Sequence, residues 1–177
     1  MDQGKLAPVW SYFSQGQQDL LTEGQYLMND VIKDHAYNFK DYSFLIFPFA
    51  KAYEGFLKKL FLDLKFISHL DYISDHYRLG KFMSPNLIAR LGERSLYKKI
   101  QTASTTDMAE LIWSTWKIGR NQVFHYFPHN FKAVSYDEAG AIIDQIEDTM
   151  AKAYVTLLPS NSNDKVQIVN QIQSLND

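Results

Sequence analysis

Apolar residues recur along this chain at three- and four-residue spacing, and no stretch alternates as a strand would, so the pattern predicts an all-α fold. From Gln17 to Tyr37, Leu20, Leu21, Leu27, Met28, Val31 and Ile32 share one face, with Gly24 a mild interruption. Asn38, Lys40 and Asp41 form a short turn, which makes the next helix, about Tyr42 to Phe66, an antiparallel neighbour. Pro48 either kinks that helix or marks its true start. His69 to Gly80 reads as a connection with one helical turn, and Ser84-Pro85 as the cap and first residue of a short helix through Leu87, Ile88, Leu91 and Leu96. Polar residues from Thr102 to Asp107 offer a cap for a helix carrying Met108, Leu111, Ile112, Trp116, Val123 and Phe127 on one stripe, which Pro128 stops. Ser135 and Glu138 form a capping box for a last long helix that buries Ala139, Ile142, Ile143, Ile146, Met150, Ala153 and Tyr154. The expected organisation is a helical domain over 1–158, a bundle of four to six helices, then a linker and tail helix over 159–177. The first 15 residues are expected to form a loosely packed arm that docks through Trp10, Tyr12 and Phe13.

Composition narrows the class. At 177 residues and 46% hydrophobic, the chain is long enough for one real core. It has no cysteine, which excludes disulfides, thiolate zinc sites and cysteine nucleophiles. The opening MDQGKLAPVW lacks the order of a signal peptide, and the longest uncharged apolar run, Phe44 to Ala50, is far shorter than a membrane span. A soluble, cytoplasmic protein is expected. A net charge of −2 argues against a protein that coats nucleic acid, though not against a local site. Lys58, Lys59, Arg90, Arg94, Lys98, Lys99, Lys117 and Arg120 form either such a site or a solvated face of mixed charge.

Candidate chemistry gathers in two places. In the second helix, Phe47, Ala50, Leu57 and Phe61 make an apolar stripe into which Glu54 falls. A buried carboxylate would need a cation opposite it. An exposed one would pair with Lys58 one turn away. In the later helix, Arg120, Asn121 and His125 cluster near the end. Histidine exchanges protons near neutral pH and arginine is a permanent cation, the two functions that RNA cleavage through its own 2′-hydroxyl requires. Five residues along an α-helix turn about 140°, so Arg120 and His125 do not stack, whereas Asn121 and His125 do. Trp116, Phe124 and Tyr126 either stack bases or belong to the core. His125 and His129 have helical ligand spacing, but Pro128 lies between them, and His69, His76, Asp71 and Asp75 form only a loose set, so no metal site is expected. Walker, dinucleotide and Gly-x-Ser-x-Gly motifs are absent, and no cofactor is expected.

The spelling Arg120-Asn121-Gln122-Val123-Phe124-His125 resembles the RN-x-x-x-H motif of the HEPN superfamily, α-helical domains many of which are metal-independent ribonucleases. Tyr42 to Leu64 is also similar to the second helix of the C-terminal domain of RNase LS-type toxins, and the resemblance covers roughly Tyr26 to Tyr154. It implies a HEPN-like bundle acting as a metal-independent endoribonuclease, the toxin of a toxin–antitoxin or phage-defence system. Arg120 and His125 would be catalytic, Asn121 would assist, Glu54 would position Arg120, and Lys117 and Tyr126 would contact RNA. It further implies a homodimer in which two motif helices meet about a twofold axis, and a cognate antitoxin protein as partner. A HEPN-like module without catalysis, binding nucleotide, RNA or a protein through the same cleft, is the alternative. A purely structural helical domain would leave Glu54 and His125 unrelated in space.

Overall fold

A computed structural model describes residues 4–33, 37–104, 107–125 and 133–158. Their regular structure is helical throughout: α1 (Gln15–Lys33), α2 (Ser43–Asp63), α3 (His69–Ile73), α4 (Leu79–Met83), α5 (Ile88–Leu91), α6 (Leu96–Ala103), α7 (Met108–Trp116) and α8 (Tyr136–Leu157), with short 3₁₀ segments and one π-helical turn. Among them no helix is long and apolar enough to cross a membrane. The expected linker and tail helix over 159–177 lie outside the described residues.

The centre of the bundle is α2. Leu45, Ile46, Phe49, Ala52, Tyr53, Phe56, Leu57, Leu60 and Phe61 are all buried, so this helix is apolar over most of its circumference, as a helix packed on several sides must be. It lies against α1 and α8, and α7 completes the layer through its contacts with α6 and α8. Two buried polar ties fix α7. Tyr53 Oη donates to the Ile112 carbonyl at 3.1 Å, and the hydroxyls of Thr115 and Thr149 lie 2.9 Å apart between α7 and α8.

Pro48 neither starts α2 nor ends it, since the helix begins five residues earlier at Ser43 and runs through the proline. Its start is held from outside. The Asp41 carboxylate accepts from Ser43 N at 3.0 Å, Ser43 Oγ at 2.6 Å and Val134 N at 3.1 Å, and Tyr42 N donates to the Val134 carbonyl at 2.8 Å. Against the cost of partial burial, these donors hold the Asp41 carboxyl below its ordinary range. At the other end α2 stops before Phe66, because Lys65 turns left-handed at φ 58° and Phe66 N reaches back to the Phe61 carbonyl at 2.7 Å.

Several expectations change. The N-terminal arm is not loosely packed: Gly4–Tyr12 forms a 3₁₀ segment whose Leu6 and Val9 are buried with Phe13, and it lies along α8. The stretch His69 to Gly80 holds α3, opened by a capping box between Ser68 and Asp71, and the start of α4, whose Leu79, Phe82 and Met83 are buried. The short helix after Ser84 is broken, since Gly92 adopts φ 54° and separates α5 from α6. Thr102 belongs to α6, and Asp107 precedes α7 without a side-chain capping bond. The capping box at Ser135 and Glu138 is present.

Candidate functional site

The motif helix departs from the regular α-helix where its chemistry begins. Regular α-helical bonding ends at Trp116, and Lys117–Asn121 forms a π-helical turn in which Gln122 N donates to the Lys117 carbonyl, five residues back, at 3.0 Å. A π-turn is a wider loop of helix, found mostly as a single bulge and often at functional sites. Its inner face is set by Gly119, which is buried so closely against α8 that a Cβ there would lie 2.9 Å from Ile146 Cδ1. The chain leaves the helix after Asn121, so His125 lies beyond the helical turn and not within it.

Glu54 and Arg120 meet across α2 and this turn. Arg120 Nε donates to Glu54 Oε2 at 2.9 Å, with side chains 41% and 28% exposed respectively. Glu54 is therefore neither fully buried nor a free surface carboxylate paired to Lys58. It stands where the stripe on α2 passes from an open cleft, lined by Phe47 and Ala50, into the core at Leu57 and Phe61. The guanidinium carbon of Arg120 also lies 5.0 Å from the centroid of the Trp116 ring. Both contacts use the Nε edge and one face, and among the described residues the two terminal nitrogens have no hydrogen-bond partner. Two edges of the cation thus face outward.

Arg120, Glu54 and His125 line one open cavity of about 380 Å³ together with Lys51, Phe47 and Phe124. The last two rings meet edge to face at 5.6 Å and are 52% and 40% exposed, so they form the apolar side of its mouth. Phe47, Lys51 and Glu54 recur at helical spacing on one face of α2, which is why one helix supplies aromatic, cation and carboxylate to the same space. A second cavity of about 410 Å³ lies behind the ion pair, and Glu54 and Arg120 line it too.

The expected site residues divide between these spaces. Asn121 lines the second cavity and His125 the first, so the four-residue stacking expected of them is lost in the π-turn and the turn after it. Lys117 is exposed and lines neither cavity. Trp116, at 2% exposure, is a core residue, whereas Phe124 is open to solvent. Tyr126 and His129 lie outside the described residues. Much of the basic cluster serves as internal tethers: Lys59 Nζ donates to the Tyr12 carbonyl and lies 3.7 Å from the ring centroid, Lys99 donates to the Phe66 carbonyl at 2.6 Å, and Arg94 sits over Phe82. Lys98 pairs with Glu93.

Lys51 was missed from sequence because it looks like one more solvated lysine. Arg78, which lines the second cavity, falls in the stretch His69 to Gly80 that reads as a connection, and Lys81 lies just after it. Their signal was two cations flanking Gly80 in Arg78-Leu79-Gly80-Lys81. Among the described residues no three His, Asp or Glu side chains gather as metal ligands would. The chain matches no protein-family model, and comparison with curated proteins and with solved structures returns no match.

Proposed function

We propose that this chain is a HEPN-like, metal-independent endoribonuclease that acts as a homodimer and is held in check by a cognate antitoxin protein. One observation carries the proposal: Arg120, held by Glu54, and His125 line the same open cavity. The motif resemblance and the all-helical setting support it.

The cavity suits an RNA phosphate. In the proposed reaction the 2′-hydroxyl of the substrate loses its proton to solvent, its oxygen bonds to phosphorus, and the bond from phosphorus to the 5′-oxygen breaks. His125 supplies the proton to the departing 5′-oxygen. The outward edges of Arg120 offset the charge that builds on the phosphorane, an interaction stronger in the transition state than before it. Phe47 and Phe124 offer faces and edges on which an unpaired base can stack.

The products would be a fragment ending in a 2′,3′-cyclic phosphate or its opened 3′-phosphate and a fragment beginning with a 5′-hydroxyl. Cleavage should persist in EDTA, fail on a substrate with 2′-deoxyribose at the cut position, and be lost in both His125→Ala and Arg120→Ala while circular dichroism shows folded protein. Cleavage that stops in chelator, or that proceeds on the deoxy substrate, would overturn this mechanism. A folded wild-type protein that cuts no RNA would favour a binding module built on the same cleft.

A further inference from the structure

Trp116 carries a polar group that its surroundings do not use. Its indole is buried, and Nε1 has no hydrogen-bond partner among the described residues, although a buried indole N–H ordinarily finds an acceptor. The nitrogen edge is sealed by Gly80, the second residue of α4, where a Cβ would lie 2.6 Å from Nε1, 3.1 Å from Cε2 and 3.4 Å from Cζ2. Only a residue without a side chain lets the ring lie this close. A phenylalanine at position 116 would fill much of the same space and strand no donor, so core packing alone does not account for the tryptophan.

What the indole adds is its face. The guanidinium carbon of Arg120 stands over the ring, 5.0 Å from its centroid, and tryptophan attracts a cation more strongly than phenylalanine does. The two contacts of Arg120 are complementary. Glu54 holds one edge of the guanidinium through Nε at 2.9 Å, which leaves rotation about that bond open, and the ring fixes the plane. The ring in turn has little freedom. Tyr53, buried and tied to the Ile112 carbonyl, lies 6.5 Å from it at 45°. Helix α4 is anchored as well, since Leu79 and Met83 are buried and Phe82 is stacked on Tyr77 at 4.6 Å with Arg94 over its ring.

We infer that Trp116 is a positioning residue for Arg120 and that Gly80 is the seat of its ring: α4 holds the indole edge, the indole face holds the guanidinium, and the N–H is left unpaired so that this face can be presented. The positioning stands on these contacts, while its effect on catalysis rests on the ribonuclease reading.

The test replaces Trp116 site-specifically with tryptophans carrying one to four fluorines on the benzene ring, which withdraw electrons from the face and leave the shape almost unchanged. Across the series kcat for RNA cleavage should fall stepwise, by at least about tenfold in all, with KM and the melting temperature little changed. The Arg120 Nε–H signal in ¹⁵N-arginine spectra, assigned by its loss in Arg120→Lys, should shift with each fluorine. Gly80→Ala should lower the melting temperature and move the same signal in the wild-type background, and do both far less beside Trp116→Phe, where the indole edge is gone. An equal effect in the two backgrounds would remove Gly80 as the seat. Constant kcat across the fluorinated series, in a protein that cleaves RNA, would overturn the positioning role and leave the ribonuclease reading standing. If the wild-type protein cuts no RNA, that reading falls and the Arg120 signal alone decides: a stepwise shift supports the positioning, and an unmoved signal overturns it.

Discussion

Glu54 and Arg120 show how one side chain can hold another without contributing much to stability. Both are partly open to water, so the Coulomb gain of the pair is screened and its worth lies near that of a surface salt bridge. What the contact contributes is orientation, because a bond at Nε and an aromatic face beneath the guanidinium leave its terminal nitrogens pointing away. Glu54→Ala should therefore cost about 1 kcal/mol or less in a thermal melt. On the proposed function it should lower kcat on the order of 100-fold with little change in KM, since a misdirected Arg120 fails in the transition state and not in substrate binding. A loss of several kcal/mol, or unchanged kcat, would remove Glu54 as the residue that positions Arg120.

At the scale of elements, α1 and α2 approach each other closely at one glycine. Gly24 is buried there, and a Cβ at that position would lie 2.6 and 2.9 Å from two ring atoms of the fully buried Phe49 and 3.0 Å from Pro48 Cγ. The ring is fixed in the core and cannot withdraw. Gly24→Ala should thus destabilise the fold by roughly 1–3 kcal/mol by overpacking, even though alanine is the better helix former. Chemical denaturation would measure this, and a stabilised variant would mean that the two helices can separate at little cost. Sequence marks Gly24 only as an interruption, because periodicity reports which face is buried and not how near the neighbour comes. For the same reason α2, α7 and α8 were legible as periodic runs, and the capping box at Ser135 as local chemistry. What escaped depended on tertiary contact: the 3₁₀ arm along α8, the left-handed stop at Lys65, whose residue type signals nothing, and the π-turn that Gly119 allows against Ile146. The pairing of Glu54 with Arg120 was proposed from a carboxylate within an apolar stripe together with the motif resemblance. The second cavity was invisible because Arg78 and Lys81 come from the start of α4, a five-residue helix too short to show a period, and Arg120 from the π-turn.

The π-turn changes what must be asked of the whole molecule. On a regular α-helix, Arg120 and His125 point about 140° apart, and a second copy of the chain would be needed to bring an arginine to each histidine. In this structure the helix widens at Lys117–Asn121 and then turns, so one chain presents both residues to one cavity. The proposed homodimer, with twofold symmetry, would then carry two sites that are each complete within a protomer. Mixing variants separates the two arrangements. Co-expressed Arg120→Ala and His125→Ala chains form dimers in which one protomer lacks the arginine and the other lacks the histidine. Where each site is complete in one chain, no protomer has both residues and the mixture should be as inactive as either variant alone. Where the site is shared across the twofold axis, half of the dimers would be mixed and each would keep one working site, restoring roughly a quarter of wild-type cleavage. The expected outcome is no recovery. A restored rate, with ultracentrifugation showing dimers, would move the catalytic cleft from the chain to the interface.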